Sequence, residues 1–169
     1  MMANNDDPNT EPPEQELVIT RVFDAPRELV FEAWTEPEQF VRWWGPKGST
    51  TPYCAIELRP GGIMHHCMRS PEGREIWSKG VFREIVVPER IVLTDSFADA
   101  EGNMVPPTHY GMSPEWPLEA LLTVTFEEEA GKTRVTLRYE GVPPGADRDG
   151  SQRGWSESLE CLGEYLAEA

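Results

Sequence analysis

Apolar residues recur along the chain in patterns that predict seven strands and three helices. A β-branched run over 17–23 is typical of a strand, and two short helices follow, ending near Trp34 and Trp44. Turns rich in Pro and Gly then separate six further predicted strands, over 50–59, 62–70, 74–87, 90–98, 118–128 and 132–140. The pattern favours an α+β fold with a mostly antiparallel sheet.

The last predicted helix, over about 150–168, has one narrow apolar face. Its apolar residues recur at spacings of 4, 3 and 4, at Trp155, Leu159, Leu162 and Leu166. Glutamates occupy the far side, where we expect solvent: Glu157, Glu160, Glu164 and Glu168. The alternation in the strand over 132–140 leaves one sheet face apolar, so we expect the sheet to curve around this helix. Space remains between them unless large side chains fill it.

Charge and composition narrow the function. Residues 1–15 carry four acidic residues, three prolines and no apolar period, which predicts a disordered acidic tail before a domain over 16–169. The net charge of −15 argues against nucleic acid and anionic membranes as partners, since both require basic patches. No run approaches the roughly 18 apolar residues of a membrane span.

Three cysteines make neither an even framework nor a Cys-x-x-Cys motif. With no secretory signal, we expect a reducing cytoplasm, no disulfide and no bound metal. One alternative stays open. A two-residue hairpin loop would place His65 and Cys67 on the sheet face of Cys54, where the three could bind zinc or copper, whereas a bulge at Gly61–Gly62 would reverse that parity.

Several stretches together resemble one known family. "FDAPRELVFEAWTEPEQFVRWWGP", "ELRPGG", "KGVFREIVVPERIVLTDSF" and "GWSESLECLGEYL" are similar, in order, to the activator of heat-shock-protein-90 ATPase homologue family of the START-like SRPBCC superfamily. The resemblance covers about 16–168. It implies a helix-grip fold, one strand, two short helices and six strands wrapped around a long C-terminal helix, with a cavity between sheet and helix.

The resemblance also gives the adjacent tryptophans a place. The two short helices should support the C-terminal helix and close one end of the cavity. We expect Trp44 to pack inward and Trp43 to lie at the edge. The predicted ligand-binding residues come from segments that this fold brings together: Trp44, His65, Trp77, Trp116, Trp155, Ser158, Leu159 and Tyr165.

The assignment of Trp77 depends on strand parity, which Ile76 and Phe82 oppose. Trp116 lies in a connection of about 20 residues, over 98–117, which is much longer than the usual ~4–6 residues. Its aromatic and Met residues indicate either a lid over something apolar or a loop folded on the edge of the domain.

Three functions follow as hypotheses. We expect a non-catalytic protein, without a cofactor, that binds a small hydrophobic or aromatic molecule. A chaperone-ATPase regulator is the second; the family's namesake has an extra N-terminal domain, whereas about 15 residues precede the predicted fold here. A cyclase-like or hydrolase-like enzyme using the same cavity is the third. No signature motif places a catalytic group; the candidates by residue type are His65, Asp95, Tyr165 and Glu57.

Overall fold

The computed structural model describes residues 16–168. The predicted tail, 1–15, therefore lies outside the described residues. The elements follow the predicted order: β1 (Glu16–Phe23), α1 (Arg27–Thr35), α2 (Pro37–Trp43), β2 (Thr50–Ile56), β3 (Ile63–Arg69), β4 (Glu75–Val86), β5 (Arg90–Ala98), β6 (Ala120–Glu129), β7 (Lys132–Glu140) and α3 (Ala146–Glu168).

The seven strands form one antiparallel sheet in the order β1-β7-β6-β5-β4-β3-β2. The two strands that flank the short helices in sequence thus lie at opposite edges of the sheet. The chain crosses from one edge to the other through α1 and α2. This crossing, with α3 over the same face, confirms the predicted helix-grip-like architecture.

The core lies where α1 and α3 cover the β1-β7-β6 half of the sheet, while α2 packs between them and β2. Phe126, Val124 and Leu137 are almost fully buried there, and Leu159 and Leu162 of α3 face them with 1% and 0% exposure. Trp155 is also buried, and Leu166 packs partly buried against the core. The 4-3-4 spacing therefore identified the buried face of α3 correctly.

Of the two adjacent tryptophans, Trp44 packs inward as predicted, whereas Trp43 does not lie at the edge. Trp43 is only 2% exposed, lies edge-on to Trp34 and Phe40, and donates its indole N–H to the Ala33 carbonyl at 2.9 Å. The helix α2 ends at Trp43, and Trp44 has extended backbone angles (φ −67°, ψ 139°). The prediction that Trp43 lies at the edge is therefore wrong. It extends the helical period of α2 through Trp44, whereas Trp44 lies outside the helix.

We predict that Leu159→Ala lowers the free energy of unfolding by about 2–5 kcal/mol, because it removes a fully buried side chain from the α3–sheet contact. Urea unfolding followed by circular dichroism measures the change. Leu29→Ala is the matched control, a helical leucine that is 46% exposed on α1. Equal losses in the two variants would contradict the assigned packing of α3.

Candidate functional site

A cavity of about 370 Å³ lies between the β5-β4-β3 half of the sheet and the first half of α3. This volume is within the roughly 300–1,000 Å³ typical of small-molecule sites. Aromatic rings line much of it: Trp34, Phe40, Trp44, Phe82, Phe97, Trp116, Tyr139 and Trp155. Two methionines of β3, Met64 and Met68, add apolar surface that adapts to shape.

The cavity exists because the first half of α3 presents small residues to the sheet. Gly150, Ser151 and Gly154 line it, and they recur at helical spacing on the face that continues into Trp155 and Ser158. The second half of the same face carries Leu159 and Leu162 and packs solidly. One helix thus closes the core at one end and leaves it open at the other.

Ser158 marks the boundary between these two halves. This residue is 1% exposed, and its hydroxyl accepts the Gly45 N–H at 3.1 Å, which ties α3 to the turn after α2. Gly45 has a φ of +107°, a conformation that favours glycine. This bond holds Trp44, one residue earlier, against Trp155, with ring centroids 4.6 Å apart.

The sheet faces the cavity with the even-numbered residues of β3 and β4. Register pairs Met64 with Gly80 and His66 with Ser78, and all four line the cavity. Neither His65 nor Trp77 does, so the structure contradicts both as cavity residues. The cause is the parity of β3: Cys54 of β2 is opposite His66, as the bulged hairpin alternative required.

On the outer face, His65 and Trp77 form a separate cluster with Tyr53. The His65 ring lies 5.0 Å from Trp77 and 5.5 Å from Tyr53. Its Nε2 is 3.0 Å from the Asp99 carbonyl oxygen. A carbonyl only accepts, so His65 donates from Nε2. This bond fastens the start of the β5–β6 connection to β3.

The same parity separates the cysteine–histidine set considered for a metal. Cys67 shares the outer face with His65, whereas Cys54 lies with His66 on the inner face. Burial raises the pKa of the Cys54 thiol to about 12, so the thiolate that a metal needs is disfavoured. Within 16–168 no group of three or more His, Cys, Asp or Glu side chains is arranged to hold a metal ion.

Three other predicted residues lie away from the cavity. Leu159 is core, as described above. Tyr165 is half-buried and donates its hydroxyl to Gln39 of α2 at 3.1 Å. Glu57 lies in the β2–β3 connection, where its carboxylate accepts the Ile63 N–H at 3.0 Å. Of the four catalytic candidates, only Asp95 lines the cavity.

The long connection between β5 and β6 covers one side of the cavity. Trp116, 5% exposed, lines the cavity together with Met112. The Tyr110 hydroxyl donates to the Ala98 carbonyl at 2.7 Å, and Ser113 N–H donates to Asp147 of α3 at 2.8 Å. The connection is therefore fastened both to the sheet and to α3.

Asp95 brings a carboxyl group from β5 into this mostly aromatic space. The Tyr139 hydroxyl donates to its Oδ2 at 2.7 Å. Burial raises the pKa of Asp95 to about 6, although the bond from Tyr139 opposes the shift. Burial and the neighbouring carboxylate also raise the pKa of Tyr139 well above its ordinary value, so the tyrosine stays the donor.

His66 is another ionisable group in the cavity wall. It is 8% exposed, lies edge-on to Trp44 and Phe40, and its Nδ1 is buried without a hydrogen-bond partner. Burial, and to a smaller extent the neighbouring His65, lower the pKa of His66 to about 4. His66 is therefore neutral at neutral pH.

Sequence reasoning missed the small-residue face of α3 and the inward side of β3. Gly150, Ser151 and Gly154 recur at helical spacing in the sequence, but the predicted helix over about 150–168 places them in its first turn, ahead of the apolar residues that begin at Trp155. In the structure the helix begins at Ala146. The inward position of His66 depends on the length of the β2–β3 connection, which has six residues rather than two.

Asp95→Asn tests the ionisation of the cavity carboxyl. A raised folded-state pKa means that the folded protein holds the proton more tightly than the unfolded chain, so stability is lost as pH rises through about 4 to 6. Because the pKa of Asp95 rises from 3.8 to about 6 on folding, its ionisation lowers the free energy of unfolding at neutral pH by about 3 kcal/mol. The free energy of unfolding of the natural chain, minus that of Asp95→Asn, should therefore fall by about this amount between pH 4 and pH 7.

Urea unfolding at four pH values measures this difference, with Glu128→Gln on the exposed end of β6 as control. A difference that rises with pH, or stays flat, would show that Asp95 is not held in a desolvating site.

Comparison with known proteins agrees with this architecture. A protein from Nitrosomonas europaea of known structure is 25% identical over 94% of this chain and 97% of its own, with a TM-score of 0.76. One from Arthrobacter aurescens is 25% identical over 92% and 88%, with a TM-score of 0.75. The AHSA1 protein from Silicibacter pomeroyi, at 22% identity over 90% and 97%, shares the fold with a TM-score of 0.69.

No curated protein is significantly similar in sequence to this chain. The family model described as Activator of Hsp90 ATPase homolog 1-like protein matches residues 24–167, from the end of β1 to the last turn of α3. The chain therefore belongs to the Activator of Hsp90 ATPase homolog 1-like family.

Proposed function

We propose that this protein binds a small hydrophobic or aromatic molecule in the cavity between the sheet and α3, and that it does so without catalysis. The observation that carries the proposal is the size and composition of the cavity. Its wall combines aromatic rings and methionines with a few polar groups, among them Asp95, Ser78 and His66. A mostly apolar wall with few polar groups is what small-molecule sites generally present.

Packing argues against the cavity being a defect of the core. Protein interiors are close-packed, and an empty space beside aromatic residues costs stability. The cavity persists here because the α3 residues that border it are small, at Gly150, Ser151 and Gly154. The neighbouring Leu159 and Leu162 show that the helix fills the same layer one turn later. Retaining the space is intelligible if a ligand occupies it.

The two alternative functions have less support. A catalytic role would use Asp95, the one predicted catalytic residue in the cavity, but the described residues provide it with Tyr139 alone as a hydrogen-bonded partner. A chaperone-regulating role has its support in family membership.

Within 16–168 no helix is long and apolar enough to cross a membrane.

Binding should be visible in the tryptophan emission. Titration with 1-naphthol and with 1-octanol, one flat and one flexible probe, should give a dissociation constant below about 1 mM for at least one of them, or roughly −4 kcal/mol. Trp155→Phe should lose much of the fluorescence change, because Trp155 lines the cavity. Trp77→Phe is the matched control, since Trp77 lies on the outer face.

Gly150→Leu should fill the cavity and weaken binding by about tenfold or more, because its side chain takes the ligand's space. A Cβ at position 150 meets only Arg153 Nη2, at 3.8 Å, so the helix accepts the larger residue. Gln152→Leu is the control, on the exposed side of α3. Calorimetry measures both variants with the same probes.

If neither probe binds the natural chain, the cavity is not a ligand site. A pull-down with the Hsp90 chaperone then tests the interaction alternative. If Gly150→Leu binds as well as Gln152→Leu, the probes bind elsewhere on the protein.

A further inference from the structure

Asp95 is a carboxylate without a basic partner. It accepts one hydrogen bond, from Tyr139, and takes part in none of the ion pairs among the described residues. A carboxylate has about four acceptor positions, so most of its capacity is unused. Among the described residues that line the cavity there is neither Lys nor Arg, while a second carboxylate, Asp147, lines it from the first turn of α3.

The neighbours of Asp95 in the sheet leave its carboxylate uncovered. Ala120 of β6 is its register partner on one side. On the other side, Lys79 pairs with Ser96, which places Gly80 beside Asp95. A Cβ at Gly80 would lie 2.5 Å from the Thr94 carbonyl oxygen, so the site admits glycine only. A methyl group and a hydrogen thus flank the carboxylate, and it opens toward the cavity.

Aromatic rings border the same space at several inclinations. Trp155 lies 4.6 Å from Trp44 and 6.2 Å from Tyr139, inclined by 69° and 62°, and Trp116 lies 6.4 Å from Tyr139 at 50°. The faces of such rings attract cations, and a concave set of them does so best where water is excluded. The ring that carries the Asp95 hydrogen bond, Tyr139, belongs to this set.

We propose that the cavity selects hydrophobic organic cations, a protonated amine on an aromatic or aliphatic body, with Asp95 as the counter-ion and the rings of Trp155, Tyr139 and Trp116 around the charge. This inference rests on the proposed function and names its ligand class. The ammonium group supplies the N–H donors and the positive charge that the buried carboxylate lacks. Anionic ligands of the same shape meet two carboxylates and no basic side chain in the wall.

The charges of the other ionisable residues in the cavity wall also favour a cationic ligand. The titratable side chains that line the cavity with Asp95 are His66 on β3, Tyr139 on β7 and Asp147 on α3. Burial holds the pKa of His66 near 4, so it adds no positive charge at neutral pH. The whole chain carries a net charge of −15, which also favours the approach of a cation over an anion.

Three probes that differ only at one end test the proposal: 4-phenylbutylamine, 4-phenylbutanol and 4-phenylbutyrate, measured by calorimetry at pH 7.5 and low salt. The amine should bind about tenfold or more tightly than the alcohol, and the carboxylate more weakly than either. Asp95→Asn should bring the amine to within about threefold of the alcohol, because the asparagine keeps the shape and loses the charge. Glu128→Gln should leave the preference unchanged.

Acidification of the natural chain gives a second test that needs no variant. Lowering the pH from 7.5 to 5 protonates Asp95, whose pKa is about 6, while the amine stays charged and His66 stays neutral. The affinity ratio of the amine to the alcohol should therefore fall by about tenfold between pH 7.5 and pH 5. A fall of this size removes the preference expected at pH 7.5.

Equal or tighter binding of the alcohol or the carboxylate overturns the cation proposal and leaves the hydrophobic site in place. A preference for the amine that survives both Asp95→Asn and pH 5 overturns Asp95 as the counter-ion. Binding of none of the three probes overturns the cation proposal, and it overturns the proposed function too when 1-naphthol and 1-octanol also fail to bind.

Discussion

The ring contacts of Trp155 are the interactions on which both the core and the cavity depend. Its ring is nearly parallel to Trp34 of α1 at 6.2 Å, lies against Trp44 at 4.6 Å, and meets Tyr139 of β7 at 6.2 Å. One side chain of α3 thus touches the first helix, the end of the second helix and strand β7 of the sheet. Aromatic pairs of this kind contribute about 0.5–1.5 kcal/mol each beyond the area they bury. The position of α3 over the sheet is fixed at this point.

From Trp155 the helix behaves differently in its two directions. Toward its C-terminus, Leu159 and Leu162 fill the layer and complete the core. Toward its N-terminus, Gly150, Ser151 and Gly154 leave the layer empty, and Trp116 of the β5–β6 connection covers the space from the side. Asp95 and Tyr139 bring a polar pair into that space from the sheet. The ring of Trp155 thus fixes α3 on the sheet, and the small residues before it keep the cavity open.

The order of the elements and the buried stripe of α3 follow from periodicity, so the sequence predicts them. The apolar spacing of a long helix survives ambiguity at its ends, and strand runs bounded by Pro and Gly are local signals. The inward face of β3 does not follow locally. One residue of shift in a hairpin exchanges every side chain between the faces, and here the β2–β3 connection places His66 inward and His65 outward.

The prediction for Trp43 fails for a related reason. A helical period describes Trp43 and Trp44 only while the helix continues, and α2 ends at Trp43. Of the eight predicted ligand-binding residues, the cavity wall includes Trp44, Trp116, Trp155 and Ser158. Trp155 and Ser158 lie on the buried face of α3, Trp44 directly follows α2, and Trp116 lies on the β5–β6 connection. His65 and Trp77 depended on strand parity, and Leu159 and Tyr165 on how far along α3 the cavity extends.

The central claim is that a small molecule occupies the space beside Trp155, and indole N–H signals in a ¹H–¹⁵N correlation spectrum test it most directly. The chain has six tryptophans, of which Trp34, Trp44, Trp116 and Trp155 line the cavity and Trp77 lies on the outer face. Titration with 1-naphthol, which this measurement detects even at millimolar affinity, should move several cavity indole signals and leave that of Trp77 in place. A shift of Trp77 with the four cavity indoles unmoved would contradict the account.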